Sequence, residues 1–136
     1  MKIAMVCAGL ALLGVGAGVG WAGETPPGGD AAHGKQVFAR CTACHKVGPG
    51  ARSGIGPALN GVVDRKAGTV PGFRYSAAMR RSGLTWDRAT LARFLQAPAK
   101  VVPGTRMAFP GISKPQDEAD LITYLAQFAP DGSTRK

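Results

Sequence analysis

Cys41-Thr42-Ala43-Cys44-His45 constrains this chain more than any other stretch. Two cysteines three positions apart, with a histidine directly after the second, form the attachment sequence for a c-type haem. The thiols add across the vinyl groups of one porphyrin edge, and the adjacent imidazole lies under the iron as its proximal ligand. Two other chemistries use Cys-x-x-Cys. A zinc site needs two further ligands at workable spacing, and the only spare candidates are His33 and Cys7. A thioredoxin-like redox pair needs a strand–helix–strand setting that the sequence lacks.

The first twenty-two residues have the pattern of an export signal. Lys2 supplies the positive start, residues 3–19 are uncharged and mostly apolar, and Gly20-Trp21-Ala22 offers small residues to a signal peptidase. Cleavage after Ala22 is expected, leaving residues 23–136 as one domain. The competing reading is an uncleaved anchor, since the run approaches the length that spans a bilayer. Glycines 9, 14, 16, 18 and 20 weaken it as a stable helix. Cys7 leaves with the signal, so the mature chain keeps Cys41 and Cys44 alone. That count closes on one haem with no disulfide framework.

The full chain carries 17 Lys and Arg against 8 Asp and Glu, a net charge of +9, which falls to +8 once Lys2 is removed. Such a balance favours anionic partners and makes association rates sensitive to salt. Nucleic acid is excluded as the partner, because the basic residues are dispersed and few aromatics remain to stack on bases. With 20 glycines and 10 prolines, much of the domain must be loop, and so short a chain builds a marginal core unless a large apolar cofactor fills its centre.

Cap and breaker residues predict the helices. Asp30 caps a helix through Arg40 that carries Gly34 and Phe38 on one face. Gly34 costs about 1 kcal/mol there and marks a close backbone approach. Residues 48–61 read as loop. Ser76 caps Ala77–Arg81, which Gly83 stops, and Asp87 or Thr85 caps Arg88–Gln96, which Pro98 ends. Leu91, Phe94 and Leu95 give that helix a buried face. Residues 99–114 read as another loop. The last helix runs from Pro115 to about Phe128, with Asp117 and Glu118 in its first turn and a stripe of Leu121, Tyr124, Leu125 and Phe128. No stretch alternates like a strand. The expected fold is all-α with long ordered loops.

Iron held by one histidine has an open face unless a second side chain fills it. Met79 and Met107 are the methionines of the mature chain. Met107 sits in Pro103-Gly104-Thr105-Arg106-Met107, a loop that can bring a thioether to the metal, and Met/His ligation suits electron transfer. Met79, inside a short helix, reads as a packing or surface residue.

From residue 29 to residue 128 the chain resembles the class I c-type cytochromes, bacterial cytochrome c2 and mitochondrial cytochrome c. The resemblance rests on Cys41 to His45, Gly56-Pro57, Arg65-Lys66, Pro71-Gly72-Phe73, Tyr75, Leu84-Thr85-Trp86, Pro103 to Met107 and residues 119–125. It implies the cytochrome c fold, several helices and long loops packed around one covalently bound haem c. It also implies that the Pro57 carbonyl orients the His45 imidazole. Tyr75, Trp86 and, less directly, Arg65 are similar to residues that hold the buried propionates, with Thr105 near the same region and Phe109 beside the exposed haem edge. Gly34 and Phe38 against Leu121 and Tyr124 match the crossing of the terminal helices. The chain departs from the mitochondrial pattern where Phe94 replaces a tyrosine near the methionine sulfur and Met79 aligns with an asparagine. The stretch from Phe38 to Cys41 is also one residue shorter.

The function this implies is a periplasmic, monomeric, single-haem electron carrier and not an enzyme. Its partners would be a quinol-oxidising cytochrome complex and a terminal oxidase or photosynthetic reaction centre, met through acidic docking faces. Arg40, Lys46, Lys100, Arg106 and Lys114 form the expected basic ring, with no stable membrane insertion after cleavage. A rival is the dedicated electron acceptor of one periplasmic dehydrogenase. A haem peroxidase or sensor is disfavoured by Met107 and by the absence of a distal histidine downstream of the haem motif.

Overall fold

A computed structural model describes residues 28–135; the expected signal segment, with Cys7, lies outside the described residues. Among the described residues, five α-helices and long loops make up the fold. They are α1 (Ala31–Phe38), α2 (Ala77–Arg81), α3 (Arg88–Gln96), α4 (Pro98–Val101) and α5 (Pro115–Ala126). Among the described residues there is no strand, only the isolated bridges Lys66–Thr85 and Phe128–Thr134. No described helix is long and apolar enough to cross a membrane.

Three of the helices start where a side chain satisfies free backbone N–H groups. Asp30 accepts from Ala32 and His33, Ser76 from Met79, and Asp87 from Thr90. Asp87, and not Thr85, is therefore the cap of α3. The last helix starts with Pro115, whose missing N–H costs nothing in a first turn. Two expectations need correction. The first helix does not continue as an α-helix to Arg40: after Phe38 it tightens into a 3₁₀ turn, Ala39–Cys41, that delivers the chain to the cysteines. Residues 99–114 are not all loop either, because Pro98 ends α3 and occupies the first turn of α4.

The terminal helices α1 and α5 make the main helix–helix contact. They close because Gly34 has no side chain: a Cβ there would overlap the Asp120 carbonyl and approach Tyr124 Cβ. Phe38 then packs on Tyr124, ring centroids 5.5 Å apart and tilted by 49°. Val37, Phe38, Leu121, Ile122 and Leu125 are buried around the crossing, each contributing about 1.5–3 kcal/mol of burial. A polar tie fixes the register. Asp120, 2% exposed, accepts from the Asp30 N–H at 2.7 Å and from Gln116 Nε2 at 2.7 Å, and meets His33 Nδ1 at 2.7 Å. Those bonds hold its carboxyl below the usual range, the Asp30 N–H first, against the opposing effect of burial. The spare histidine of the sequence is thus used to lock the helix ends.

Candidate functional site

A cavity of about 680 Å³ opens in the middle of the domain, a size suited to a cofactor. Cys41, Cys44, His45 and Met107 all line it. The first three come from one turn, where the Cys44 and His45 N–H groups both donate to the Cys41 carbonyl, at 3.1 and 2.8 Å. Both thiols are free and half-buried. Burial pushes the Cys41 thiol up, an effect the neighbouring Arg40 charge opposes and Cys44 reinforces.

The His45 imidazole is fixed from two sides. Its Nδ1 lies 2.8 Å from the Pro57 carbonyl oxygen. A carbonyl can only accept, so Nδ1 carries the proton and Nε2 keeps its lone pair for a metal. Burial lowers the imidazole's proton affinity, and the Pro57 contact opposes this only in part. Gly56 forms the second wall. A Cβ there would stand 2.7 Å from Nδ1 and 2.9 Å from Nε2, so no other residue leaves the ring in place. The Gly56 N–H, bonded to the Cys44 carbonyl at 2.9 Å, keeps that wall close.

Met107 is carried by a loop that folds on itself. Val102 N–H donates to the Pro98 carbonyl and Thr105 N–H to that of Val102, while Met107 N–H donates to Thr105 Oγ1 at 3.2 Å. Gly104 supplies the positive φ, 88°, that the turn requires. Thr105 therefore shapes the Met107 loop as well as lining the cavity.

The remaining expected contacts, Arg65, Tyr75 and Trp86, also line the cavity, as do Pro57 and Phe109. Backbone bonds set two of them side by side, Trp86 N–H to the Arg65 carbonyl at 2.8 Å and Asp64 N–H to that of Trp86 at 2.9 Å. Arg65 spends Nη1 on the Asn60 carbonyl at 2.8 Å, yet its buried Nε has no partner. The Tyr75 hydroxyl accepts from the Val70 N–H at 3.3 Å, which leaves its own proton free to donate. An unpaired buried donor such as Arg65 Nε is costly, and it sits beside a cavity also walled by Leu91, Phe94, Leu95 and Leu125. A flat apolar group carrying carboxylates and a metal that takes nitrogen and sulfur fits this donor set. The residues present fit haem c.

Met79 is buried in the core, the packing outcome of the two expected of it, and lines the cavity, as its alignment with a buried asparagine implies. One cavity residue was not anticipated. Ile55, 80% exposed, stands at its edge; it is the large hydrophobic that the described residues leave in water, and nothing in its own loop marked it. Of the expected basic ring, Arg40 and Arg106 reach the cavity lining. Lys46, Lys100 and Lys114 are exposed, and Lys46 is bonded back to the Thr42 carbonyl at 2.9 Å.

Comparison with known proteins agrees with this geometry. A family model described as Cytochrome c matches residues 31–129. Cytochrome c2 of Rhodoblastus acidophilus is 54% identical over 105 residues, covering 77% of this chain and 98% of the relative. Cytochrome c2 of Blastochloris viridis is 45% identical over 78% of this chain and 84% of its own length. Among solved structures, cytochrome cH from Methylobacterium extorquens superposes with a TM-score of 0.69 at 50% identity, covering 73% of this chain and 99% of that one. Cytochrome c2 from Rhodospirillum centenum gives 0.72 at 39% identity, over 75% of this chain and all of that one.

Proposed function

This chain belongs to the cytochrome c family, and on that premise we propose that it ferries single electrons between two periplasmic redox complexes. It is a single-haem electron carrier and not an enzyme, and its cofactor is haem c, with Cys41 and Cys44 in the attachment motif. When bound, that haem supplies a one-electron ferric–ferrous couple. His45 and Met107 would hold its iron. In this reading Pro57 keeps the His45 proton on Nδ1 and the lone pair on Nε2. Tyr75, Trp86 and, less directly, Arg65 would supply donors to the propionates, with Thr105 near the same region, and Leu91, Phe94 and Leu95 would wall the group from water. Met107 as a second ligand would leave no position open for peroxide or gas chemistry.

The observation that carries the reading is one cavity lined by both cysteines, a pre-oriented imidazole and a methionine, with exposed Arg40 and Arg106 in its wall. The proposed donor is a quinol-oxidising cytochrome complex, and the acceptor a terminal oxidase or photosynthetic reaction centre. Both would present acidic faces to a monomeric carrier whose basic ring is Arg40, Lys46, Lys100, Arg106 and Lys114. Residues 1–22 act as the export signal, removed after Ala22. N-terminal sequencing of the exported protein should begin at Gly23.

Stopped-flow oxidation by membranes holding the terminal oxidase tests the reading. The second-order rate should fall steadily as ionic strength rises from about 10 to about 150 mM, the range over which screening shortens from roughly 30 to 8 Å. A rate indifferent to salt would remove the docking ring. Fast exchange with one purified dehydrogenase, and none with either membrane complex, would make the chain that enzyme's dedicated acceptor.

A further inference from the structure

Next to the haem cavity lies a second concavity of about 440 Å³, walled by residues 74–77 and by Arg80, Gly104 and Arg106. Two segments distant in sequence bring like charges together here. The Arg80 guanidinium donates to the Tyr75 carbonyl at 2.6 Å, and that of Arg106 donates to the carbonyl of the preceding residue, Arg74. Consecutive carbonyls thus fasten two guanidiniums at one wall, to which Arg74 itself adds a third. All three arginines are exposed.

None of the three has a carboxylate partner: the ion pairs among the described residues are His33–Asp120 and Arg40–Asp117. Long cationic side chains on an open surface separate to relieve repulsion. Here two are held by the backbone, and each uses one of its five N–H donors, leaving the rest for a ligand. Arginine forks match tetrahedral oxyanions through paired N–H···O bonds, and a converging set suits a multiply charged anion best.

We propose that this concavity binds a phosphate group, as free inorganic phosphate or as the phosphoryl headgroup of a membrane lipid. The proposal does not depend on which redox complexes the carrier serves. Arg74, Arg80 and Arg106 are its ligands, and the backbone tethers of Arg80 and Arg106 preorganise it.

Calorimetric titration of the ferric holoprotein with inorganic phosphate, at ionic strength held constant with chloride, tests the first source. Phosphatidylcholine vesicles with and without phosphatidic acid, in a sedimentation assay, test the second. Saturable one-site binding is expected in at least one arm. Arg80→Gln and Arg74→Gln should each weaken it at least about threefold, the discounted worth of one exposed charged donor. Arg80→Lys should fall between Arg80→Gln and the parent. Arg88→Gln, which removes the same charge away from this concavity, should leave binding unchanged. Binding of the free ion names phosphate itself as the ligand, and binding confined to vesicles names the headgroup. The proposal is overturned if neither arm saturates, or if Arg88→Gln weakens binding as much as Arg80→Gln and Arg74→Gln do.

Discussion

Replacing Gly56 by alanine puts the imidazole wall to a direct test. The new Cβ would lie 2.7 Å from His45 Nδ1 and 2.9 Å from Nε2, where ordinary contact starts near 3.4 Å. Neither side can yield cheaply. The ring is tied to the Pro57 carbonyl at 2.8 Å, and the Gly56 backbone to the Cys44 carbonyl at 2.9 Å. Overpacking of this kind costs about 1–3 kcal/mol, and losing the Nδ1 hydrogen bond adds about 1 kcal/mol. A total of about 2–4 kcal/mol corresponds to a fall in Tm of roughly 10–25 °C for a domain this size. Gly54→Ala, two residues upstream with nothing within 4 Å of its would-be Cβ, is the matched control and should stay within about 0.5 kcal/mol of the parent. Thermal unfolding of both ferric holoproteins, followed by the haem absorbance, measures the difference. If the two variants melt together, the imidazole is not held as described.

Three further substitutions probe the frame around the site. Gly34→Ala gains about 1 kcal/mol of helix propensity, but its methyl meets the Asp120 backbone, so denaturant midpoints should show a net loss of about 1–2 kcal/mol. Asp120 has a folded pKa below its unfolded value of about 3.9, so its stabilisation is complete above that value and fades as pH falls through the folded pKa. Asp120→Asn should accordingly be less stable at neutral pH and show a flatter acid limb in midpoints measured from pH 7 downward. Burial raises the Glu118 carboxyl above its ordinary value and outweighs the favourable first-turn position, so its ionisation costs the folded state more than the unfolded one. Glu118→Gln should stabilise at pH 7, by a margin that vanishes as the pH drops below about 4.3.

The haem motif and the helix starts were legible because both are local. Asp30, Ser76, Asp87 and Pro115 each announce a helix within three residues of themselves. Pro98 misled because one residue serves two ends: it stops α3 and is equally at home in the first turn of α4. The Asp30–Asp120 tie spans 90 residues, and no spacing rule reaches that far. Met79 lies in a short helix without periodicity, so nothing local told which way it faced. Leu91, Phe94 and Leu95 were read correctly as a buried face, yet the pattern could not say that the face meets a cavity and not another helix.

That last distinction decides how the molecule holds together. Val62, Met79, Trp86, Leu91, Phe94, Leu95 and Leu125 belong to the buried core and also line the 680 Å³ cavity. The core is therefore largely the wall around the cofactor. Without a cofactor against it that apolar wall would face water, giving up much of the about 1.5–3 kcal/mol that burial of each Leu, Phe, Val or Met side chain supplies, a large loss against the 5–15 kcal/mol by which a whole domain is stable. The α1–α5 crossing alone, with its five buried apolar side chains, cannot offset the ordering entropy of so many loop residues. A chain denied attachment by the paired changes Cys41→Ala and Cys44→Ala should accordingly lose cooperative unfolding and most helical circular dichroism at 25 °C. The attached form of the parent should melt in one sharp transition. A cofactor-free double variant that kept the helical signal and a sigmoidal denaturant curve would mean that the helices close on themselves, with the cavity a pocket in a finished fold and not its centre.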